Sequence, residues 1–412
     1  MAYIPPHKRH SKDTEKPTPT PSLLIPKFQK KLNIGPKSNL QRRKDQDALQ
    51  GGKIIYGKYS ISRWWAVGLM DDGHLPPSVR LEPISCDPVE KKWGEKPLAL
   101  VRELPSRDVN NIAQSFEKSP CVYITEKIQL DLHNSFQNVR NEMEFEKSEE
   151  VKPSFVARFG KIFFHGSPSI SLDTILKSSA AETTSRNQVK KSFYTNVPSA
   201  YMEAVQCLVV PKIGVDFESE KEHYHVKVYD KSLPDATISC KCSIGKHGKL
   251  ECHKAELNQV RHLVADISCL DKDLDLRLML STKRILTALT DEDEESIREL
   301  IKSAIVDPDV KGGLRWPLGK ESFGDRFCVV GVWHTKYKAF RSPMLRLKLR
   351  DADRFDFRTS AGEVGKEVTL KMTGIVKQLM DGMVETGFLN ESLHETLKMI
   401  WDNFLDCDYS VA

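Results

Sequence analysis

Alternation constrains this chain more than any other feature of its sequence. From Leu345 to Ser360 it reads LRLKLRDADRFDFRTS. Leu345, Leu347 and Leu349 alternate with Arg346, Lys348 and Arg350, and Phe355 and Phe357 alternate with Arg354, Asp356 and Arg358. A period of two belongs to a β-strand with one face in a core and the other turned away from it. The stretch predicts two strands of an antiparallel hairpin, joined by a short Asp351-Ala352-Asp353 link. The polar face gathers five cations, Arg346, Lys348, Arg350, Arg354 and Arg358. Like charges two residues apart on a strand face lie roughly 7 Å from each other, within a Debye length at physiological salt. They repel unless a bound anion or neighbouring acids relieve them. With Arg277 on another predicted strand, this face is the candidate phosphate- or RNA-binding site. The plainer reading is a solvated face, because surface charge costs little.

The chain has 412 residues, of which 39% are hydrophobic, enough for a core and for two or three domains or one large body with tails. Its net charge of +5 is uneven. Residues 1–50 hold eleven Lys or Arg against four acids, +7, which leaves the remainder at −2. That segment also holds seven prolines, and Thr18-Pro19-Thr20-Pro21 favours polyproline II, so a disordered basic arm is expected there. Beyond it the reading is an N-terminal β-rich segment with helices (51–150), an antiparallel β body (151–375) and a C-terminal amphipathic helix (376–412). The nine cysteines are scattered and odd in number, and MAYIPPHKRHSK lacks the apolar stretch of a signal peptide. A reducing compartment, cytoplasm or nucleus, is expected, with free thiols and no membrane span.

Strand patterns recur along the body: KIIYGKYSISRWWAVGL from Lys53, FVARFGKIFFHG after Ser154, HYHVKVYD over 223–230, and LDLRLMLS over 274–281. Of the adjacent Trp64 and Trp65, one at most faces inward on a strand. Helical spacing marks Arg107–Lys118 and Thr125–Arg140. Thr290 before Asp291–Glu295 reads as an N-cap, and Asn390 as the cap of the last helix. Cys240, Cys242, Cys252 and His253 have a spacing that invites zinc. In the hairpin ATISCKC–GKHGK–LECHKAEL, however, the three thiols share a face with Ile238 and Leu250 while His253 points the other way, so core thiols are expected. His223 and His225 alternate on a strand face, where ligands or a proton relay are open to them, and surface histidines are the plainer reading. GxxxxGK[ST], GxSxG, GxGxxG and HExxH do not occur, and no metal or cofactor site is expected.

Two resemblances add to this reading. The chain resembles a plant-specific family of uncharacterised proteins opening with MAYIPPHKRHS, through GGLRWPLGK (312–320) and ADRFDFRTS (352–360) as well. Within that opening, Tyr3, Ile4, Pro5, Pro6, His7, Lys8 and Arg9 are similar to the YIPPHLR element of some DEAD-box RNA helicases, which implies a linear motif for a protein partner. The order RFGKI (158–162), FYTNVPSAYMEAVQCLV (193–209), LDLRLMLS and LRLKLRDADRFDF (345–357) resembles fungal-type RNA triphosphatases. That resemblance implies an antiparallel β-tunnel whose inward Arg and Lys bind a triphosphate, here Arg277, Arg346, Lys348 and Arg350. It also implies two Glu-x-Glu strands that hold a metal. The first pair would stand at Ser154 and Val156, and the last strand offers only Glu367 with Thr369.

The fold expected is α+β, mainly antiparallel sheet, a closed or half-closed β-barrel with flanking helices behind the arm. The function expected is a non-enzymatic binding or scaffold protein that contacts RNA, a ribonucleoprotein or another phosphorylated partner. Its rivals are a metal-dependent phosphohydrolase of tunnel type and a protein-interaction module with no nucleic-acid role. The first two separate on whether two or more carboxylates share an interior with the basic residues.

Overall fold

The computed structural model describes residues 16–19 and, between 55 and 409, all but 68–74, 76, 103–118, 146–148, 166–171, 173, 176–189, 233–236, 247, 258, 287–289 and 382–385. Strands β1 (Ile55–Val67), β2 (Val79–Pro83) and β3 (Leu98–Arg102) come first, with helix α1 (Asp87–Trp93) between the last two. The long helix α2 (Pro120–Phe145) leads into β4 (Glu149–His165) and β5 (Lys190–Tyr194). Helix α3 (Ser199–Ala204), continued by a π turn, precedes β6 (Asp216–Asp230), β7 (Thr237–Ile244), β8 (Leu250–Glu256), β9 (Val260–Cys269) and β10 (Asp275–Leu286). Helix α4 (Asp291–Lys302) and the short β11 (Ile305–Val306), β12 (Leu314–Arg315) and β13 (Ser322–Phe323) follow. Then come the long strands β14 (Phe327–Arg341), β15 (Leu345–Asp356) and β16 (Ala361–Met372), and helices α5 (Thr373–Asp381) and α6 (Thr386–Ile400).

Among the described residues, 14 strands share one sheet. It is antiparallel except where β1 runs parallel to β9. Eight of the strands close on themselves: β10, β8, β7, β6, β14, β15, β16 and β4 follow in order, and β4 pairs back onto β10. The class is therefore mixed α+β and dominated by antiparallel sheet. The expected hairpin at 345–360 is instead one strand, β15, flanked by β14 and β16. Asp351-Ala352-Asp353 contains no Gly, Asn or Pro to reverse the chain, and the side-chain parity runs through it unbroken. One straight strand therefore carries Arg346, Lys348, Arg350 and Arg354 on a common face.

The apolar halves of these strands face outward from the ring, under helices. Leu347 and Leu349 join Phe155 and Phe159 of β4 and Leu276, Leu278 and Leu280 of β10 in one core. It is covered by Ile124, Ile128, Leu132 and Phe136, a stripe of α2 at helical spacing. On another side, Val226, Val228, Cys240, Cys242, Phe355 and Phe357 pack beneath Ile297, Leu300 and Ile301 of α4. Full burial of each such side chain contributes about 1.5–3 kcal/mol. With both cores outside, the alternate polar positions turn toward the ring's interior.

Several local expectations meet the structure directly. Ile238, Cys240, Cys242 and Leu250 share the core, with Cys252 packed partly against it, while His253 bonds Ser243 elsewhere. Thr290 caps α4: its Oγ1 accepts from the Asp293 N–H at 3.1 Å. Asn390 lies inside α6, which starts at Thr386, so it is not that helix's cap. Trp64 and Trp65 are both buried, because β1 has a core on each face: Trp64 meets Phe164 and Trp65 joins the α2 core. Tyr3–Arg9 and Arg107–Lys118 lie outside the described residues.

One short part of the arm, residues 16–19, is placed on the body. Lys16 Nζ reaches Asp353 Oδ2 at 2.9 Å, the Lys311 N–H donates to the Pro17 carbonyl at 2.9 Å, and Pro19 is buried. Asp353 Oδ1 in turn accepts from the Gly312 N–H at 2.9 Å. Gly312 has φ +77°, and a Cβ there would run into Val332 Cγ2. Gly312→Ala is expected to cost about 2–3 kcal/mol, combining left-handed strain with overpacking. A thermal melt that shifts by less than a degree would refute that account.

Candidate anion-binding cavity

The inward positions line a cavity of about 500 Å³. β15 contributes Arg346, Lys348, Arg350 and Arg354, and β14 contributes Trp333, Thr335 and Tyr337. β6 adds His223, His225 and Lys227, β7 adds Lys241, and β8 adds Lys254 and Glu256. The wall is completed by Lys283 of β10, Arg261 of β9, Lys152 and Arg158 of β4, and Glu367 and Lys371 of β16. Register stacks these groups in belts: Tyr337 sits opposite Arg350, Arg350 opposite Glu367, and Thr369 opposite Arg158. Twelve Lys or Arg line the cavity against two carboxylates.

Both carboxylates are held by cations of the same wall. Glu367 bonds Arg354, lies 3.8 Å from Arg350 and accepts from Thr195 Oγ1 at 3.1 Å. Burial would raise its carboxyl, but Arg354, Arg158 and Arg350 outweigh burial and hold it at about 2. Glu256 lies 2.7 Å from Lys254 and 3.2 Å from Lys283. Burial would raise it too, and Lys283 and Lys254 bring it to about 2. Two carboxylates therefore share the interior, on β16 and β8, and by number alone they meet the condition set for a phosphohydrolase; they stand apart, separated around the ring by β4 and β10, and each is bound by cations.

Burial and neighbouring cations disfavour the charged forms of Lys348, Lys227 and His223. Lys348 makes no ion pair among the described residues; its Nζ lies 4.3 Å from the Tyr337 ring centroid. Burial first, then Arg350, Arg346, Lys241 and Lys283, push its amine down to about 6. Burial and Lys283 lower Lys227 to about 8, and burial with Lys241 and Lys221 lowers His223 to about 4. Both ring nitrogens of His223, Thr335 Oγ1 and the Nε atoms of Arg158 and Arg354 are buried without a hydrogen-bond partner among the described residues.

Of the six cations singled out in the sequence, four line this cavity: Arg346, Lys348, Arg350 and Arg354. Arg346 is at the same time bound to Glu218 at 2.7 Å. Arg277 and Arg358 stand apart from it. Arg277 donates to both Asp266 oxygens, at 2.6 and 2.9 Å, and stacks on Phe193 at 4.7 Å. Arg358 follows β15 and pairs with Asp356 at 2.7 Å. His223 and His225, read as surface groups, line the cavity instead. The charged face of β15, which alternation alone leaves open between cavity and solvent and which the tunnel resemblance turns inward, points in, because both cores lie outside the ring.

The metal implied by the triphosphatase resemblance does not fit these residues. Ser154 and Val156 line the wall where one carboxylate pair would stand, and Glu367 is bound by arginine. Among the described residues, no three His, Cys, Asp or Glu form a group suited to a metal ion.

A mixed, sheet-dominated protein with a strand ring and a cationic interior is the class that these observations define. Residues 48–404 match the family described as a domain of unknown function (DUF7903), and the chain belongs to that family. No curated protein matches it. Among solved structures it is similar to the S. pombe Pct1 RNA triphosphatase at 9% identity and a TM-score of 0.39, over 73% of this chain and 96% of that one. The same enzyme in complex with the Spt5 CTD gives 8% identity and a TM-score of 0.40, over 68% and 91%. A conserved hypothetical protein from Pyrococcus furiosus gives 10% identity and a TM-score of 0.21, over 60% and 90%. Likeness at this level assigns no activity. Among the described residues, no helix is long and apolar enough to cross a membrane.

Proposed function

We propose that the ring works as a tunnel-like receptor for a compact, phosphate-rich anion, and that the protein binds this ligand rather than transforming it. The observation that carries the reading is the excess of twelve basic side chains over two carboxylates around a cavity of about 500 Å³, with both carboxylates already engaged and, of the twelve, Arg346 also holding Glu218. Charges enclosed in this way repel each other at low effective dielectric, and a multivalent anion relieves that repulsion while filling unpartnered donors. Phosphate suits the donors because Arg offers a planar fork and Lys a point charge. An RNA or phosphorylated protein partner would reach the cavity by its phosphates, with the +7 arm adding a salt-dependent attraction.

Calorimetry with sodium tripolyphosphate tests the reading. Micromolar binding is expected, weakening steeply between 50 and 300 mM salt. Absence of binding at low salt would leave the protein-interaction reading in its place. Release of orthophosphate on adding Mg²⁺ or Mn²⁺, abolished by Glu367→Gln, would replace the receptor with the phosphohydrolase reading.

A further inference from the structure

A second, smaller pocket of about 120 Å³ adjoins the cationic cavity. Its walls are unlike the cavity's. Val89 and Trp93 of α1 and Tyr194 of β5 close it from one side, Val332 and Phe355 from the ring, and the lining also holds the carboxylates Asp356, paired with Arg358, and Glu363. Trp93 is steadied by stacking on His165, with ring centroids 4.2 Å apart, and Tyr194 by stacking on Phe163 at 5.8 Å. Lys227, Trp333 and Arg354 line both spaces and so form their common boundary. There the Arg354 guanidinium lies 4.3 Å from the centre of the Trp333 ring. The Trp333 Nε1–H is buried and has no acceptor among the described residues.

We infer that this pocket receives a flat heterocyclic ring whose polyphosphate lies in the cavity, so that the ligand is a free nucleoside polyphosphate. The inference rests on the anion-receptor reading and specifies its ligand. Three features of the juxtaposition point to such a molecule. Aromatic walls favour the face of a planar ring. The unpartnered indole N–H offers one directional bond to a ring nitrogen or carbonyl. The boundary cations Lys227 and Arg354 stand where ring and phosphates would meet. A simple inorganic polyphosphate would use the cavity and leave the aromatic pocket idle. An aromatic compound without phosphates would leave a crowd of cations uncompensated.

The experiment compares tripolyphosphate, ATP, GTP and a short 5′-triphosphorylated RNA by calorimetry at fixed pH and salt on the full chain. ATP or GTP is expected to bind at least tenfold tighter than tripolyphosphate, although it carries no more charge. Ala361, exposed where it lines the pocket at the start of β16, gives a plugging variant that leaves the cores alone. Ala361→Trp is expected to bring nucleotide affinity down to the tripolyphosphate level and leave tripolyphosphate binding unchanged. Trp93→Ala is expected to do the same, with a thermal melt to confirm folding. Equal affinity for nucleotide and tripolyphosphate, or equal loss of both in Ala361→Trp, would overturn the inference and leave the anion receptor standing. Absence of binding by any of the four would overturn both. RNA binding much tighter than ATP, and sensitive to Ala361→Trp, would overturn the assignment to a free nucleotide.

Discussion

Glu367→Gln is expected to destabilise the free protein by about 3–5 kcal/mol, the usual cost of removing one partner from a buried charge cluster. The reason lies in what surrounds that carboxylate. Arg354, Arg350 and Arg158 crowd it, and although Glu363 also acts on Arg354, its effect there is smaller than that of Glu367. With a neutral amide in its place, three enclosed guanidinium groups face one another. Gln retains an acceptor for Thr195 Oγ1, so the loss reports charge rather than a missing hydrogen bond. The pH dependence has a definite sign. The folded carboxyl titrates at about 2, below its ordinary value near 4.3, so the native state binds fewer protons than the unfolded chain in that interval. This stabilisation is complete above about pH 5 and is lost as pH falls toward 2. Stability curves of the wild type and Glu367→Gln should therefore converge in acid. Tripolyphosphate should restore part of the variant's stability, since the anion supplies the charge the side chain has lost. Melts that coincide at pH 7 would refute the account.

The fold was legible where alternation is strict, and the site was legible only in part. β4, β6, β10 and β15 each announce themselves by a period of two, and Thr290 with its acidic first turn announces α4. Which face of those strands meets water did not follow. Alternation states that two faces differ, but whether the apolar one lies inside or outside a closed sheet depends on non-local pairing, here of β4 with β10. The missed residues have the same origin. Arg158, Lys227, Lys241, Lys254 and Lys283 stand singly or nearly so on their strands. None makes a motif by itself, and only ring closure gathers them. β15 was found because it carries four such cations alone. Arg277 shows the reverse error: it has the right parity on the right kind of strand, yet Asp266, paired opposite it on β9, claims both its donors. Cross-strand partners eleven residues apart are invisible to a pattern read along the chain.

The combined variant Arg346→Gln, Lys348→Gln, Arg350→Gln is expected to lose about a thousandfold in affinity for tripolyphosphate. A hydrogen bond to a charged group is worth about 1.5–3 kcal/mol, and three such groups leave the wall together, less an allowance for their coupling. The effect on the free protein differs among the three. Arg346 holds Glu218 at 2.7 Å and Arg350 supports Glu367, so their loss releases acids as well as removing repulsion. Lys348 has no acid to release among the described residues, which makes Lys348→Gln the cleaner probe. Its folded amine titrates at about 6, far below the ordinary 10.4. The unfolded chain therefore binds the extra proton between pH 6 and 10, so wild-type stability from this group rises with pH across that window. Lys348→Gln removes the penalty and should raise stability at pH 7 by about 1 kcal/mol or more, while costing at least tenfold in affinity. A bound anion pulls the Lys348 amine back toward its ordinary value, so binding takes up a proton. Affinity should then fall by up to tenfold for each pH unit above 6 in the wild type, and less steeply in Lys348→Gln, where Lys227, held at about 8, still contributes. Titrations in buffers of different ionisation heat count that proton directly. No proton uptake at pH 7.5, together with unchanged affinity in the combined variant, would show that the ligand, if any, binds elsewhere.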